Sequence, residues 1–380
     1  MSSVTIGFTG DFCPINRVEQ LHSEGSWQTI FDGVKTYFDG NDFNIIDLEC
    51  PLTDKGKEII KTGPHLRAKP KCAEMLAYLN CNLVATANNH FFDYGAEGIS
   101  DTYDSLKDQN IEWLGSGFNI DEAFKTTFIE KNGVRIGVIN IAESEWTTTQ
   151  GKEPGCAPID YHRALLSIKA AKESGAMFVV VIVHGGHEHY PLPSPRMKSQ
   201  SRYMIDAGAD AVVGHHPHVI SGYEVYKGKP IYYSLGNFCF DWPGFRQSNW
   251  NKGMLLKLSF SSEGEIAHEY EVVSQNDEEP VIEFLKGDAK IELEKQLEDL
   301  NQIIGDDDLL ETKFLEHCEK LAPIMFSRIQ PYRNRLTIAL HKRGLLPDIM
   351  GASKRRMLHV LSQCESHREV LLAVLKKKLD

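Results

Sequence analysis

Side chains able to bind metal follow three apolar runs between residues 178 and 240. The runs are 178–183, 211–214 and 231–235. The residues of interest that come directly after them are His184, His187, Glu188, His189, His215, His216, His218, Gly236 and Asn237. Imidazole, carboxylate and amide groups are ligands that Mn, Fe or Zn take in proteins. This stretch therefore predicts a metal-dependent site.

The first hundred residues repeat the arrangement. Apolar runs at 4–9, 43–46 and 83–87 each end in a polar cluster. These clusters supply the candidate ligands Asp11, Glu49 and Asn89, together with His90 as the candidate acid. Hydrolysis of a phosphate ester at two divalent ions requires about three to four protein ligands per ion, a bridging carboxylate and a nearby acid. The residue types and their order along the chain fit that requirement.

Strands and helices in alternation must position these residues. Continuous apolar runs of about six residues, bounded by Gly and Pro, are typical of strands that are covered on both faces. Ligands bind just beyond the carboxyl ends of such strands, where the candidate residues fall. Further strands are expected at 134–141, 254–260 and 266–273, the last two as a hairpin, and helices at 70–79, 98–107, 161–173 and 196–207. The alternation predicts the α/β class.

The pattern is only helical from about residue 276 onward. Helices are expected at 291–304, 309–328, 333–343 and 354–379. We therefore expect a catalytic domain at 1–275 and a helical C-terminal region at 276–380. The helical region is a candidate surface for forming a homo-oligomer, for capping the pocket or for docking a partner.

Composition indicates which kinds of partner the protein can have and in which cellular compartment it is found. A net charge of -12 and a pI near 5.7 argue against a surface that coats nucleic acid. The amino terminus lacks a secretory signal pattern, and no apolar run approaches the roughly 18 residues that a membrane span needs. The eight cysteines have no paired spacing, which indicates buried, reduced thiols. We expect a cytoplasmic protein with no membrane span and no nucleic-acid partner.

Ordinary structural explanations compete with the chemical ones. A lone histidine at a strand end is usually a solvated or capped polar residue. Asp11 after Gly10 suits a turn, and Cys13 suits a packed thiol. For His184, His216 and His218 the convergence of several ligand types at sheet ends favours metal binding.

Other candidates stay open at this point. His187, His189 and His215 fit either a substrate contact or the support of a ligand. Arg67 fits either the binding of a phosphate or carboxylate group, or a solvated surface charge.

Six motifs carry a resemblance to a known family. They are GDFCPINR, DLECPLT, ATANNHFFDYG, VHGGHEHYPLPSPR, GADAVVGHHPHV and YYSLGNFCFD. Together they resemble the CapA-type family of capsule and poly-gamma-glutamate biosynthesis proteins, over residues 4 to about 260. That family belongs to the calcineurin-like metallophosphoesterase superfamily. The resemblance implies a four-layer sandwich of two mixed β-sheets flanked by helices, to which this chain adds its C-terminal helices.

The resemblance also implies a role for each matching residue. The metal ligands would be Asp11 and His218 for one divalent ion, Asn89, His184 and His216 for the second, and Glu49 as the bridge between them. His90 would stabilise or protonate the leaving group, with Asp93 as its orienting partner. Substrate contacts are expected from Gly236, Asn237, His187, Glu188, His215 and Arg67.

Two positions depart from the wider superfamily. Cys13 stands where its first motif has a histidine, so one metal would be under-coordinated unless the Cys13 thiolate binds it, which Zn or Fe would allow. Glu49 stands where the bridging aspartate is usual, so the bridge would reach one methylene further.

The expected function is a metal-dependent hydrolase that cleaves a phosphate ester with a metal-activated hydroxide. The substrate would be a phosphorylated small molecule, or a saccharide or polymer linked to capsule or anionic-polymer biosynthesis. Two alternatives remain: a non-hydrolytic accessory to synthesis or export of poly-gamma-glutamate or capsule, and a metal-dependent amidase.

Overall fold

The structure is a computed structural model and describes residues 2–61, 63–329, 332 and 334–363. In chain order its strands are β1 (Ser3–Cys13), β2 (Phe43–Leu48), β3 (Leu83–Ala85), β4 (Glu112–Leu114), β5 (Ser116–Gly117), β6 (Thr127–Lys131), β7 (Val134–Ala142), β8 (Gly155–Cys156), β9 (Phe178–His184), β10 (Ala211–His215), β11 (Tyr223–Tyr226), β12 (Lys229–Tyr232), β13 (Asn237–Phe240), β14 (Lys252–Ser261), β15 (Ile266–Gln275) and β16 (Ile282–Phe284). Its α-helices are α1 (Arg17–Glu24), α2 (Lys35–Asp39), α3 (Ala73–Tyr78), α4 (Gly95–Asp108), α5 (Ile120–Ala123), α6 (Tyr161–Glu173), α7 (Pro195–Asp206), α8 (Gly287–Gly305), α9 (Asp307–Ile329), α10 (Arg335–Lys342) and α11 (Ala352–Gln363).

Two mixed sheets form the centre of the fold. In the part of the chain that the structure describes, one sheet has the order β16-β15-β14-β1-β2-β3-β4, with β13 also paired to β1, and the other has the order β11-β12-β10-β9-β7-β6. Both contain parallel and antiparallel pairs. The predicted α/β class with two mixed sheets is confirmed.

Alternation along the strands separates an inner core from the outer faces. In β9, Val180 and Ile182 belong to a buried cluster that also contains Ile6 and Phe8 of β1 and Leu256 of β14, so this cluster lies between the two sheets. Residues at i and i+2 share a face of a strand, so alternate residues of one apolar run are buried on opposite faces of the sheet. Helices α6 and α7 contact the second sheet, and a separate cluster buries helix residues against the first sheet. The expected four layers follow.

Most strands and helices lie where the apolar runs predict them. The hairpin of β14 and β15 is confirmed, with nine paired positions from Lys252 to Phe260. The strand expected at 231–235 instead ends at Tyr232, and a separate strand begins at Asn237, directly after Gly236 with its positive φ of 69°. The carboxyl-terminal part of the helix expected at 354–379 lies outside the described residues.

The chain divides into two compact units, Met1–Glu311 and Thr312–Asp380. The boundary expected near residue 275 therefore falls inside the first unit. Both β16 and α8 belong to that unit, and Leu293 and Leu297 of α8 are buried in the cluster between the sheets. An amphipathic helix that buries its apolar face in the core cannot be recognised as part of a domain from its helical pattern alone. Among the described residues, no helix combines the length and apolarity required to cross a bilayer.

Candidate metal centre

The carboxyl ends of strands from both sheets deliver the candidate residues to one place. Asp11 lies near the end of β1, opposite Asp47 of the neighbouring β2. In the other sheet, His184 ends β9 opposite His215, which ends β10. Both sheets thus present their polar residues at corresponding edges, as expected for ligands at the carboxyl ends of parallel strands.

Ligand atoms from these strands form three overlapping groups. In each group one atom per residue lies within 4.8 Å of the others, and all members are buried: Glu49, His184 and His216; Asp11, Glu49 and His218; Asp11, Asp47 and His215. Asn89 adds its Oδ1, which lies 3.1 Å from His184 Nε2. All six residues expected to bind metal therefore come together.

Asp11 connects two of the histidines. Its Oδ1 lies 3.0 Å from His215 Nδ1 and its Oδ2 lies 3.2 Å from His218 Nδ1. Burial alone would raise the pKa of Asp11, but hydrogen bonds from these two imidazoles outweigh it and hold the pKa well below its usual range. The carboxylate is therefore ionised, and its contacts orient both rings.

Glu49 and Asp47 are buried carboxylates of a different kind. None of their four oxygens has a hydrogen-bond partner among the described residues. Burial raises the pKa of Glu49 well above its usual value, and raises that of Asp47 to about 8. Glu49 Oε1 faces His218 Nε2 at 3.5 Å and His184 Nε2 at 3.7 Å. A cation between these atoms would supply the partner that each carboxylate lacks.

Two histidines of the centre, His184 and His216, favour the neutral, metal-binding form, whereas for His215 and His218 the nearby carboxylates outweigh burial and raise the pKa. Burial lowers the pKa of His184 to about 3 and that of His216 well below its usual value. His216 Nδ1 has no hydrogen-bond partner in the described part of the chain, and the His216 ring centroid lies 5.0 Å from that of His184. Neutral imidazole nitrogens are what divalent transition metals bind. This donor set fits a divalent cation.

The loop after β10 holds its histidines in a strained conformation. His216 and His218 have φ values of 96° and 57°, in the left-handed region that non-glycine residues seldom adopt. Asn237 of β13 supports the loop, because its Oδ1 lies 3.0 Å from His218 Nδ1 and its Nδ2 donates to the His218 carbonyl at 3.3 Å. Strain that the surrounding structure maintains is typical of functional sites.

His90 and Asp93 form a pair beside these groups. His90 Nδ1 lies 2.7 Å from Asp93 Oδ2, and the Asp93 side chain is fully buried. Burial lowers the pKa of His90, with Asp93 acting in the opposite direction. The carboxylate therefore orients the ring and leaves Nε2 on its opposite edge.

Three of the residues expected to contact substrate are buried, so they are not exposed to a bound molecule: Asn237, Gly236 and His215. Asn237 is fully buried and its amide bonds His218, and the Gly236 carbonyl accepts from Asp11 N at 3.0 Å while its N–H donates to Ser234. The polar groups of both residues are therefore used to hold the candidate ligands: Asn237 holds His218, and Gly236 holds the backbone of Asp11. His215 is buried against Asp11 and belongs to a candidate ligand group.

Other expected contacts are accessible. Glu188 is exposed, His187 is half-buried, and Arg67 is exposed with its guanidinium carbon 4.5 Å from the centroid of the Tyr94 ring. The negative charge of Glu188 acts on Glu49, His216 and His218, which places it near the centre.

Cys13 is absent from the three ligand groups found among the described residues. Its thiol is buried, and burial together with a hydrogen bond to Cys50 raises its pKa well above the usual value. A thiol that stays protonated is a poor metal ligand. The packed-thiol explanation fits this geometry better than a ligand role.

Sequence reasoning missed Asp47 as a candidate ligand. A signal was available, because Asp47 precedes Glu49 by two residues and residues at i and i+2 of an extended chain share a face. His184 Nδ1 lies 3.3 Å from Asp47 Oδ2, so Asp47 also contacts the ring nitrogen of His184 that is opposite Nε2. Lys61, which contacts His90 and Asp93, was missed too.

Comparison with known proteins supports the motifs quoted above. The family model described as "Bacterial capsule synthesis protein PGA_cap" matches residues 5–242. The chain is 34% identical over 251 residues to the PGA biosynthesis protein CapA of Bacillus subtilis (strain 168), covering 64% of this chain and 66% of that protein. It is 31% identical over 246 residues to the capsule biosynthesis protein CapA of Bacillus anthracis, covering 63% and 60%. The chain thus spans less than two thirds of the length of these relatives.

Among solved structures, the NAD nucleotidase of Haemophilus influenzae aligns with a TM-score of 0.41 and 14% identity, over 85% of this chain and 61% of that one. The family match covers the strands and loops that carry the candidate metal centre, from β1 to the end of β13. On this evidence the chain belongs to the family of bacterial capsule synthesis proteins.

Proposed function

We propose that the protein is a metal-dependent hydrolase of the metallophosphoesterase type that cleaves a phosphate ester. The observation that carries the proposal is that two ligand groups share Glu49: one with His184 and His216, the other with Asp11 and His218. A shared carboxylate is what two cations about 4 Å apart require. The four oxygens of Glu49 and Asp47 support the same conclusion, because none of them has a hydrogen-bond partner in the part of the chain that the structure describes.

Each residue has a separate task in this proposal. Asp11, Glu49 and His218 would hold one divalent ion, and Glu49, Asn89, His184 and His216 would hold a second, with Mn, Fe or Zn as the candidate metals. Such ions supply Lewis acidity and lower the pKa of bound water toward neutrality. His90 donates a proton from Nε2 to the leaving oxygen, and Asp93 holds Nδ1.

The substrate would carry more than one anionic group. Arg67 is exposed near Tyr94 and is available to bind a phosphate or carboxylate. The capsule biosynthesis relatives favour a phosphorylated saccharide or polymer intermediate over an unrelated metabolite. His187 and Glu188 would contact the same substrate.

A second candidate is a non-hydrolytic accessory role in the synthesis or export of an anionic polymer. The observation that favours it is that the names of both relatives state a role in biosynthesis and no reaction. An amidase would use the same centre on a different bond.

Metal analysis followed by an activity panel separates these functions. The purified protein is analysed for bound metal, then assayed with Mn²⁺ on phosphate monoesters, phosphate diesters and peptide amides. Bound metal with ester hydrolysis is the expected result. Bound metal with amide cleavage identifies an amidase, and neither metal nor turnover identifies an accessory.

A further inference from the structure

Lys61 is a buried cation beside His90. The Lys61 side chain is 2% exposed, and its ammonium group donates a hydrogen bond to Asp93 Oδ1. Lys61 Nζ also lies 3.2 Å from His90 Nδ1. Lysine is almost never fully buried unless it is paired. Metal binding and proton donation at the centre do not by themselves require this buried ammonium group.

Asp93 accepts hydrogen bonds on both carboxylate oxygens. Oδ1 accepts from Lys61, and Oδ2 accepts from the Leu66 backbone N–H at 2.8 Å and lies 2.7 Å from His90 Nδ1. The Asp93 backbone carbonyl accepts from Ile59 N–H at 3.0 Å. With these partners the carboxylate cannot rotate freely.

The orientation of Asp93 determines that of His90. A carboxylate held in place accepts a hydrogen bond from Nδ1–H in one ring orientation only, because turning the ring over would present a carbon to Oδ2. The short contact of His90 Nδ1 is with Asp93 Oδ2, so Nδ1–H donates its hydrogen bond to Asp93. The Lys61 ammonium acts on the ring indirectly, because it holds the Asp93 carboxylate that accepts this hydrogen bond. Nε2 is then the ring nitrogen left for substrate.

Ile59, Lys61 and Leu66 all lie on the segment between β2 and α3. This segment therefore supplies the contacts that hold the Asp93–His90 pair, while the ligands Asn89 and His184 lie outside it. We propose that Lys61 is a positioning residue for His90: it anchors Asp93 so that the imidazole presents Nε2 to the leaving group. The inference rests on the proposed function of His90 as proton donor.

Leaving-group dependence tests the inference in the full-length protein. Lys61→Met removes the charge and keeps most of the side-chain stem. Phenyl phosphate needs more help from a proton donor than 4-nitrophenyl phosphate, so kcat should fall about 100-fold for the first and about 10-fold for the second, with KM within about 2-fold. Equal losses for the two esters, or no loss, would overturn the inference.

Lys55→Met is the matched control. Lys55 lies on the same segment, but its side chain is 74% exposed and pairs with Asp101. Its kcat for both esters should equal that of the wild type. If Lys61→Met does not fold, the double variant Lys61→Met/Asp93→Asn, which leaves no unpaired buried charge, is compared with Asp93→Asn. The double variant should lose no more activity than Asp93→Asn, because the two residues act as one unit. A further loss would contradict this.

A spectroscopic measurement needs no turnover. In ¹⁵N-histidine-labelled protein with Zn²⁺, the imidazole signals of His90 should move in Lys61→Met while those of the exposed His162 stay in place. Unchanged His90 signals would refute the positioning role. If the wild type hydrolyses neither ester, the proposed function fails, and this measurement still decides whether Lys61 positions His90.

Discussion

At the scale of single residues, the buried carboxylate of Glu49 is the main reason to expect a bound cation at this centre. Glu49 is fully buried between Asp11, His184 and His218, and burial, together with the negative charge of Asp11, raises its pKa well above the usual value. Isolated buried carboxylates are costly, so such a residue is retained where a cation neutralises it. Removing Glu49 should therefore change metal binding more than it changes the fold.

For Glu49→Gln we expect a metal-free protein at least as stable as the wild type, because a neutral amide replaces a buried acid. Mn²⁺ at about 100 times its Kd should raise the free energy of unfolding of the wild type by about 2.7 kcal/mol and that of the variant far less. Chemical denaturation with and without Mn²⁺ measures both. Glu112→Gln, at an exposed position, should respond like the wild type. An equal metal response in Glu49→Gln would remove Glu49 from the ligand set.

His90 contacts Asp93 but belongs to none of the ligand groups in the described residues. His90→Ala should accordingly lower kcat by about 10²- to 10⁴-fold, because a proton donor is lost while the cations stay. Steady-state kinetics and metal analysis on the same preparation check this. His162→Ala serves as the control for losing an exposed imidazole. Wild-type turnover in His90→Ala would count against the assigned task.

At the scale of elements, β1 changes partners halfway along its length. Residues Ser3–Phe8 pair with β14, and Asp11–Cys13 pair with β13, with an irregularity after Asp11. The change of partner needs Gly10, because a Cβ there would lie 2.1 Å from the Gly236 carbonyl oxygen. The close approach of these two backbones is what places Asp11 beside His215 and His218.

Gly10→Ala should therefore displace residues of the metal centre, although Gly10 is not itself a candidate ligand. We expect the free energy of unfolding to fall by about 1–3 kcal/mol or more, since the new methyl group meets backbone and not a movable side chain. Metal content should fall with it, because Asp11 is the next residue. Thermal unfolding and metal analysis give the two readouts. Gly305→Ala, where a Cβ meets nothing within 4 Å, should show neither loss.

For the whole molecule, the first compact unit extends to Glu311 and includes α8. Lys198 of α7 holds the end of α8 by donating hydrogen bonds to the Ile304 carbonyl and to Asp307 Oδ1. Leu293, Leu297 and Ile304 are buried along the helix. The C-terminal helices after residue 311 stay a candidate surface for forming a homo-oligomer.

A chain that ends at Glu311 should keep a cooperative unfolding transition and bind metal. A chain that ends at Gln275 should lose roughly 5 kcal/mol or more, because three buried aliphatic side chains and β16 are removed with α8. Calorimetry of the two truncated chains against the full-length protein distinguishes them. Equal stability of both truncated chains would place the functional boundary near residue 275 after all. Sedimentation of the Glu311 chain tests whether the later helices mediate self-association.

The sequence by itself determined most of the strands that lead to the centre and the chemical types of the residues that follow them. Apolar runs such as 178–183 must be buried, and the residues that end them must lie at a sheet edge, so the sequence predicts that Asp11, Glu49, Asn89, His184, His216 and His218 come together, while their roles as ligands stay a prediction. These features depend on local pattern, which the linear chain carries in full.

Only the tertiary structure decided how these residues face one another. Asp47 joins the centre because β2 pairs with β1 in one register, Asn237 lies beneath His218 because β13 inserts beside β1, and Lys61 reaches Asp93 across a long segment. The α8 helix belongs to the first unit, and two of its leucines, Leu293 and Leu297, are buried in the same apolar cluster as residues of both sheets. Each of these depends on contacts between residues distant in the chain, and no local periodicity encodes which distant surfaces will meet.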